Sequence, residues 1–207
     1  LYVLHGGNPG SVYNGAFKAM LTTKPEKSLT REIDLTYDFS NKVKLNIAAY
    51  EGSVSDVLNR SSSKGGYNET IDIEQRGIEN KIIFRDSSNQ LTLSNTLSKS
   101  REGNGKPQLR RPEKQFGIRY IKKFNGTVFG PFNLNYDYRH VGKAEDWVGS
   151  VRKDVDSTDI MNLSLSKKFN FISYSLNVTN LTNESYQRPH GFQQDGRRIS
   201  LSFRSKY

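Results

Sequence analysis

Apolar residues recur in this chain at every second position, and the 3.6-residue spacing of helices is nearly absent. Ile33, Leu35, Tyr37 and Phe39 alternate with Glu32, Asp34, Thr36 and Asp38. Val43, Leu45, Ile47 and Ala49 alternate with Lys42, Lys44, Asn46 and Ala48, and Ile78, Ile82 and Phe84 share one face of a longer stretch over about 68–86. Leu91, Leu93 and Leu97 follow the same rule. So do Phe116, Ile118 and Tyr120; Phe132, Leu134, Tyr136 and Tyr138; Met161, Leu163 and Leu165; Ile172, Tyr174, Leu176 and Val178; and Ile199, Leu201, Phe203 and Tyr207. A period of two puts all the apolar side chains of a strand on one face. The pattern predicts nine strands, most of them longer than the usual five or six residues.

The connections alternate in length. Tight turns are expected at 39–42, 86–89 and 168–171, with a slightly longer one at 124–131. Between them lie polar loops at about 53–67, 100–111, 141–157 and 182–195. Short turns on one rim and long loops on the other is the construction of a membrane barrel, with the long loops extracellular. A soluble β-sandwich, acting as a binding or adhesion module at the cell surface, is the alternative, and it offers no reason for loop lengths to separate this way. If the last strand descends to the periplasm, Phe39, Phe84, Phe124, Phe132, Phe169 and Tyr207 all bracket the short turns with apolar-face parity. They would form an aromatic girdle at one lipid interface.

Composition fits an all-β antiparallel transmembrane barrel. Only 34% of the 207 residues are hydrophobic, against roughly 45–50% on a broader count for soluble domains. Such a shortfall suits strands with one wet face; the 11 Tyr and 11 Phe, regularly placed, argue against disorder. No stretch approaches the roughly 20 apolar residues of a membrane helix, and no signal peptide opens the chain. The chain is therefore expected to begin within a longer protein. Nine strands cannot close an even-numbered bacterial barrel, which supports the same expectation. The net charge of +10 is spread along strands and loops rather than gathered in a patch, which speaks against nucleic acid and for an anionic lipid or lipopolysaccharide surface.

No catalytic constellation emerges, so an enzyme is not expected. His5, His140 and His190 stand apart without ligand spacing, and the chain has no Cys. Asp154-x-Asp156-x-x-Asp159 lacks the glycine and terminal glutamate of a calcium loop. Ser61-Ser62-Ser63-Lys64-Gly65-Gly66 reads as a loop tip, because no helix follows it to make a phosphate cradle.

Five segments resemble TonB-dependent outer-membrane receptors in the family's order. Leu21-Thr22-Thr23-Lys24-Pro25-Glu26-Lys27-Ser28 resembles their "N-x-x-L-K-P-E-x-S" approach to a strand. Gln75-Arg76-Gly77-Ile78-Glu79 is similar to an "x-x-G-x-E" strand, and Arg111-Pro112-Glu113-Lys114 to "R-P-x-H", with Lys114 where His is usual. Asn177-Val178-Thr179-Asn180-Leu181-Thr182-Asn183-Glu184-Ser185-Tyr186 resembles the penultimate-strand pattern "v-x-N-L-f-D-x-x-Y", and Gly196-Arg197 leads into an aromatic-ended last strand. Tyr186-Gln187-Arg188-Pro189-His190-Gly191-Phe192 is closest in flavour to vitamin B12 (cobalamin) receptors, with siderophore receptors second.

The resemblance implies the C-terminal part of a barrel of about 22 strands, with an N-terminal plug and a TonB box preceding this chain. Residues 1–27 would be an extracellular loop and lead-in, and 28–207 the barrel strands. The whole would be a monomeric importer of a large scarce nutrient, cobalamin or an iron chelate, without a cofactor of its own, in a Gram-negative outer membrane. A passive porin is a more remote alternative. TonB would engage the missing N-terminal part, and Ile199-x-Leu201-x-Phe203-x-Ser205-x-Tyr207 resembles the signal read by the barrel-assembly machinery. Substrate contacts within this chain are expected from the outer loops, at Tyr67, Trp147, Arg188, His190 and Phe192, since large chelates need flat apolar contacts and a few donors.

Overall fold

A computed structural model describes residues 24–61, 66–126, 128, 130–148 and 151–205. Eleven strands form among them: β1 (Lys27–Asp38), β2 (Val43–Ser61), β3 (Gly66–Arg85), β4 (Asn89–Glu102), β5 (Lys114–Phe124), β6 (Phe132–Val141), β7 (Ala144–Val148), β8 (Val151–Val155), β9 (Thr158–Phe169), β10 (Ile172–Thr179) and β11 (Arg198–Ser205). Nine make a single antiparallel meander in the order β1-β2-β3-β4-β5-β6-β9-β10-β11. They are the nine strands that the alternation marks out.

Register carries the alternation across the whole sheet. Leu45 stands opposite Tyr37 and Ile82, Ile118 opposite Leu93 and Tyr138, and Leu165 opposite Leu134 and Leu176. One face is therefore apolar across the sheet, interrupted by Asn80, which stands opposite Asn95. Among the described residues nothing packs against it: Ile33 is 77% exposed and Phe203 71%. In a sandwich a second sheet would cover these side chains, whereas lipid solvates them in a barrel. The other face is polar and bonded within itself, Asn46 Nδ2 donating to Thr36 Oγ1 at 2.7 Å, and Arg119 facing Asp137 at 3.3 Å. Ile73 and Ala144 are the buried hydrophobic residues among those described.

Two expectations about loops need correction. The stretch 53–67 is largely strand, because β2 and β3 run well past the apolar band. Between Val54 and Val57 a bulge, with Asp56 at φ 58°, breaks the period and hides the continuation. On its near side the pattern has already reversed: Ile73, opposite Val54 and of inner-face parity, is buried, while Ser53 and Glu74 take the outer side. The second correction lies in 141–157, which holds the paired strands β7 and β8. Their five-residue length and charged sequence, Ala-Glu-Asp-Trp-Val and Val-Arg-Lys-Asp-Val, carry little alternation. Val141 pairs with Thr158, so this hairpin is an excursion from the β6–β9 hairpin that leaves the main register intact.

Candidate functional site

The long connections at one rim, β4–β5, β6–β9 and β10–β11, are tied into one body around Asp146. Its carboxylate is 1% exposed and accepts three bonds of 2.8 Å, from Arg110 Nε, from the Trp147 backbone N–H and from the His190 backbone N–H. Burial alone would push the carboxyl up. The guanidinium of Arg110 and the two N–H groups outweigh it and hold Asp146 below the usual carboxylate range. Arg110 adds a bond from its own N–H to the Glu145 carbonyl at 2.8 Å.

Two further arginines complete the frame. Arg152 bonds Glu102 and donates to the Pro107 carbonyl at 2.8 Å, and its guanidinium lies 5.6 Å from the centre of the Trp147 ring. Arg188 donates Nη2 to the carbonyls of Val141, Gly142 and Asp156 at 3.1, 2.8 and 3.1 Å, and Nε to Thr158 Oγ1 at 3.3 Å. Desolvation pulls its guanidinium below the ordinary arginine range. A cavity of about 210 Å³ opens beside it, lined by Arg110, Ala144, Glu145, Asp146, Val155, Arg188 and Pro189.

The β10–β11 loop has an organiser of its own. Asn180, 5% exposed and at φ 51°, donates Nδ2 to the Glu184 and Asp195 carbonyls at 2.8 and 3.1 Å and accepts from the Glu184 N–H at 2.8 Å. Asparagine tolerates this left-handed backbone and supplies the donors and acceptor a turn needs.

Of the residues expected to meet a substrate, four join this cluster. Trp147 is 43% exposed and Phe192 66%; His190 is exposed and is fastened to Asp146 by its backbone N–H. Arg188 is committed to loop carbonyls. Tyr67 pairs with Arg60 high on the β2–β3 hairpin. Asp146, Arg110, Arg152, Glu102 and Asn180 were not picked out by sequence reasoning. Asn180 alone carried a signal there, as the asparagine of the penultimate-strand motif.

At the opposite rim, Phe39 follows β1 with an edge contact of 4.8 Å to Tyr37. Phe124 and Phe132 pair across β5 and β6 with rings stacked at 4.5 Å. Phe84 faces Val43 and Leu91, and Phe169 faces Ile172. Tyr207 lies outside the described residues. At this rim Asp86 caps its turn, accepting the Ser88 and Asn89 N–H groups at 2.7 Å each; these bonds hold its carboxyl below the usual range. Among the described residues no group of three or more His, Asp or Glu could hold a metal ion.

A continuous antiparallel sheet with one bare apolar face, one wet face and its long loops gathered at one rim is the wall of an outer-membrane barrel. The sequence pattern of the family described as "TonB dependent receptor-like, beta-barrel" matches residues 2–181, and the chain belongs to that family. The family is one of receptors, not enzymes, and its place is the outer membrane of Gram-negative bacteria. No curated protein matches the chain. Among solved structures, it is similar to the ferripyoverdine receptor of Pseudomonas aeruginosa, with 19% identity and a TM-score of 0.74, covering 88% of this chain and 27% of that one. The ferric-catecholate import receptor of E. coli K12 matches with 18% identity and a TM-score of 0.65, covering 87% of this chain and 27% of that one. A copper transporter matches with 14% identity and a TM-score of 0.74, covering 90% and 31%. At these identities the likeness is one of fold, and the chain spans less than a third of each of these proteins.

Proposed function

We propose that this chain supplies wall strands and outer loops of a TonB-dependent receptor that imports a metal chelate, of the iron–siderophore class, across the outer membrane. The observation that carries the reading is the family match over a sheet whose long loops form one ordered cluster at a single rim. That rim is the extracellular one, since barrels of this kind keep short turns at the periplasm. Trp147 and Phe192 offer flat apolar contact and the His190 ring a donor, as a large chelate requires. Arg188 serves by holding the β10–β11 loop in place, and Tyr67 adds to the same rim from β2–β3.

Phe39, Phe84, Phe124, Phe132, Phe169 and Tyr207 make the periplasmic aromatic girdle in this reading. Remaining strands of a larger barrel pair with the edges of β1 and β11, and residues 1–27 lead in from an extracellular loop. TonB acts through a plug outside this chain, the last strand addresses the barrel-assembly machinery, and the receptor is a monomer in contact with lipopolysaccharide.

Cobalamin is a second ligand, favoured by the likeness of Tyr186–Phe192 and Gly196-Arg197 to cobalamin receptors. Deleting the gene and growing the strain on limiting ferric siderophore or on limiting cobalamin separates the two. Slow growth confined to the siderophore medium supports the first reading, slow growth confined to cobalamin the second. Unimpaired growth and uptake on both sinks the transport reading.

A further inference from the structure

Three loops wall the small cavity at the base of the β7–β8 hairpin, and each wall is fixed separately. Ala144 and Val155 stand opposite each other in the first pair of the hairpin and make one wall. Pro189 supplies the second from the β10–β11 loop, and Arg110 the third from β4–β5. Pro189 is suspended between two tethers. Before it, Arg188 donates to carbonyls on both legs of the hairpin, Gly142 at 2.8 Å and Asp156 at 3.1 Å. After it, the His190 N–H reaches Asp146 at 2.8 Å. The loop therefore arches over the Ala144–Val155 pair and cannot settle onto it without breaking these bonds. An apolar gap forfeits contacts along its lining, so a chain free to close it would do so.

The volume of about 210 Å³ decides what fits. An engineered apolar cavity of about 150 Å³ holds benzene, whereas pockets that enclose a whole drug-sized ligand run to roughly 300–1,000 Å³. One ring enters here, and the body of a chelate stays outside. Water is a poor occupant, because Ala144, Val155 and Pro189 offer it few of the roughly two to four partners it needs.

Two carboxylates stand at the edge of the cavity, and both are engaged. Asp146 has both oxygens bonded, and Glu145 lies 3.5 Å from Arg152. Arg110 and Arg188 offset them in charge, so nothing draws a free anion in. N–H donors are nevertheless left over. The Arg110 side chain is bonded through Nε alone, and that of Arg188 through Nε and Nη2. The two terminal nitrogens of Arg110 and Nη1 of Arg188 thus have no partner among the described residues.

We propose that this slot receives one planar aromatic ring of the transported chelate, packed against Ala144, Val155 and Pro189, with an oxygen at the ring's edge accepting from Arg110 or Arg188. A guanidinium is weakly hydrated and tolerates an aromatic neighbour, so the two arginines suit a ring better than a saturated arm of the same bulk. The frame is already held by its own bonds, so little ordering is left to cost affinity. Trp147 and His190 adjoin lining residues in sequence and stand where the body of the chelate would lie. The inference rests on the transport reading and adds to it a ring-bearing class of chelate and the place where its ring is held.

The test uses the full-length receptor in mild detergent, its folding checked by heat-modifiable migration. Benzamide, its saturated analogue cyclohexanecarboxamide and inorganic phosphate serve as probes, read by ligand-observed NMR in the range on the order of millimolar expected of fragments. Benzamide should bind about tenfold more tightly than the saturated amide, the margin of a desolvated ring–guanidinium contact, and phosphate should not displace it. Val155→Phe and Ala144→Leu fill the slot from opposite strands and should each weaken benzamide about tenfold or more. Lys106→Gln, at an exposed position on β4–β5, should bind as wild type does. A ferric chelate with catecholate or phenolate arms should displace benzamide, and one with only linear hydroxamate arms should leave it bound. Equal binding of the two amides, displacement by phosphate, or indifference to the filling variants would overturn the slot. Displacement by neither ring-armed chelate, or equally by the hydroxamate, would overturn the identity of its occupant. Should neither filling variant fold, the two amides on wild type decide, together with exchange at the His190 amide, which benzamide must slow. Uptake of a hydroxamate chelate by a receptor whose slot holds no ring would sink this inference and leave the transport reading standing. Unimpaired growth of the deletion strain would sink the transport reading, and with it the occupant, while the fragment data still report on the slot.

Discussion

At the scale of single residues, Asp146 bears the most on the outer loops. A carboxylate 1% exposed that accepts three bonds cannot be neutralised without leaving donors short. Asp146→Asn keeps the shape but turns an amide toward donors. Because Arg110 is 60% exposed and recovers water, the expected cost is about 1–3 kcal/mol of local stability. It should appear as faster hydrogen exchange at the His190 amide and earlier proteolysis within 187–193, while the sheet keeps its protection. The pH dependence has a definite sign. Since the folded carboxyl titrates below the ordinary value of about 3.9, the clamp is fully present at neutral pH. It is lost only as pH falls through that lowered value, so the protection factor at His190, corrected for the intrinsic pH dependence of amide exchange, should stay flat from pH 7 to 5. A loop that loosens across that interval would show that another group governs it.

At the scale of elements, the β7–β8 hairpin is a separable part. Val141 and Thr158 are already paired, so the main sheet closes without it. Replacing 144–155 with a short glycine–serine turn should leave heat-modifiable migration intact and abolish chelate binding. Within the hairpin, Trp147→Ala removes the exposed ring that Arg152 supports. For a binding anchor this means about 2 kcal/mol, or roughly a thirtyfold weaker Kd, read by titration of the purified receptor. The elements also mark where sequence reading stops. All nine sheet strands were legible, because lipid on one face and water on the other impose the period of two on every residue between the rims. Above the apolar band that constraint ends. There β2 and β3 continue past a bulge, the apolar positions move to the inner face at Ile73, and β7 and β8 are held by ion pairs and backbone bonds rather than by a lipid-facing side. The loop cluster was illegible for the same reason: Arg110, Asp146 and the His190 backbone are 36 and 44 residues apart in sequence and leave no local pattern.

At the scale of the whole molecule, the two faces of the sheet should respond in opposite ways to the same substitution. Ile47 sits halfway along the apolar band, between Leu35 and Asn80 on the neighbouring strands. An arginine there must hold its charge at mid-depth in hydrocarbon, which costs about 2–4 kcal/mol in an outer-membrane barrel. Asn135, at a comparable height on the wet face between Ile121 and Ser164, has water beside it, and Asn135→Arg should cost less than about 1 kcal/mol. Asn80 and Asn95 give the reverse case. They face each other across β3 and β4 on the lipid side, the polar break in an otherwise apolar stretch from Ile78 to Phe84 and Leu91 to Leu97. Neither makes a side-chain hydrogen bond among the described residues, so both amides are poorly solvated there. Asn80→Leu together with Asn95→Leu should therefore stabilise the barrel, while Ile47→Arg destabilises it and Asn135→Arg leaves it nearly unchanged. Reversible urea unfolding of the refolded receptor in lipid vesicles measures all three. A rank order other than the double leucine variant first, Asn135→Arg near wild type and Ile47→Arg last would mean that the face carrying Ile47 does not meet lipid.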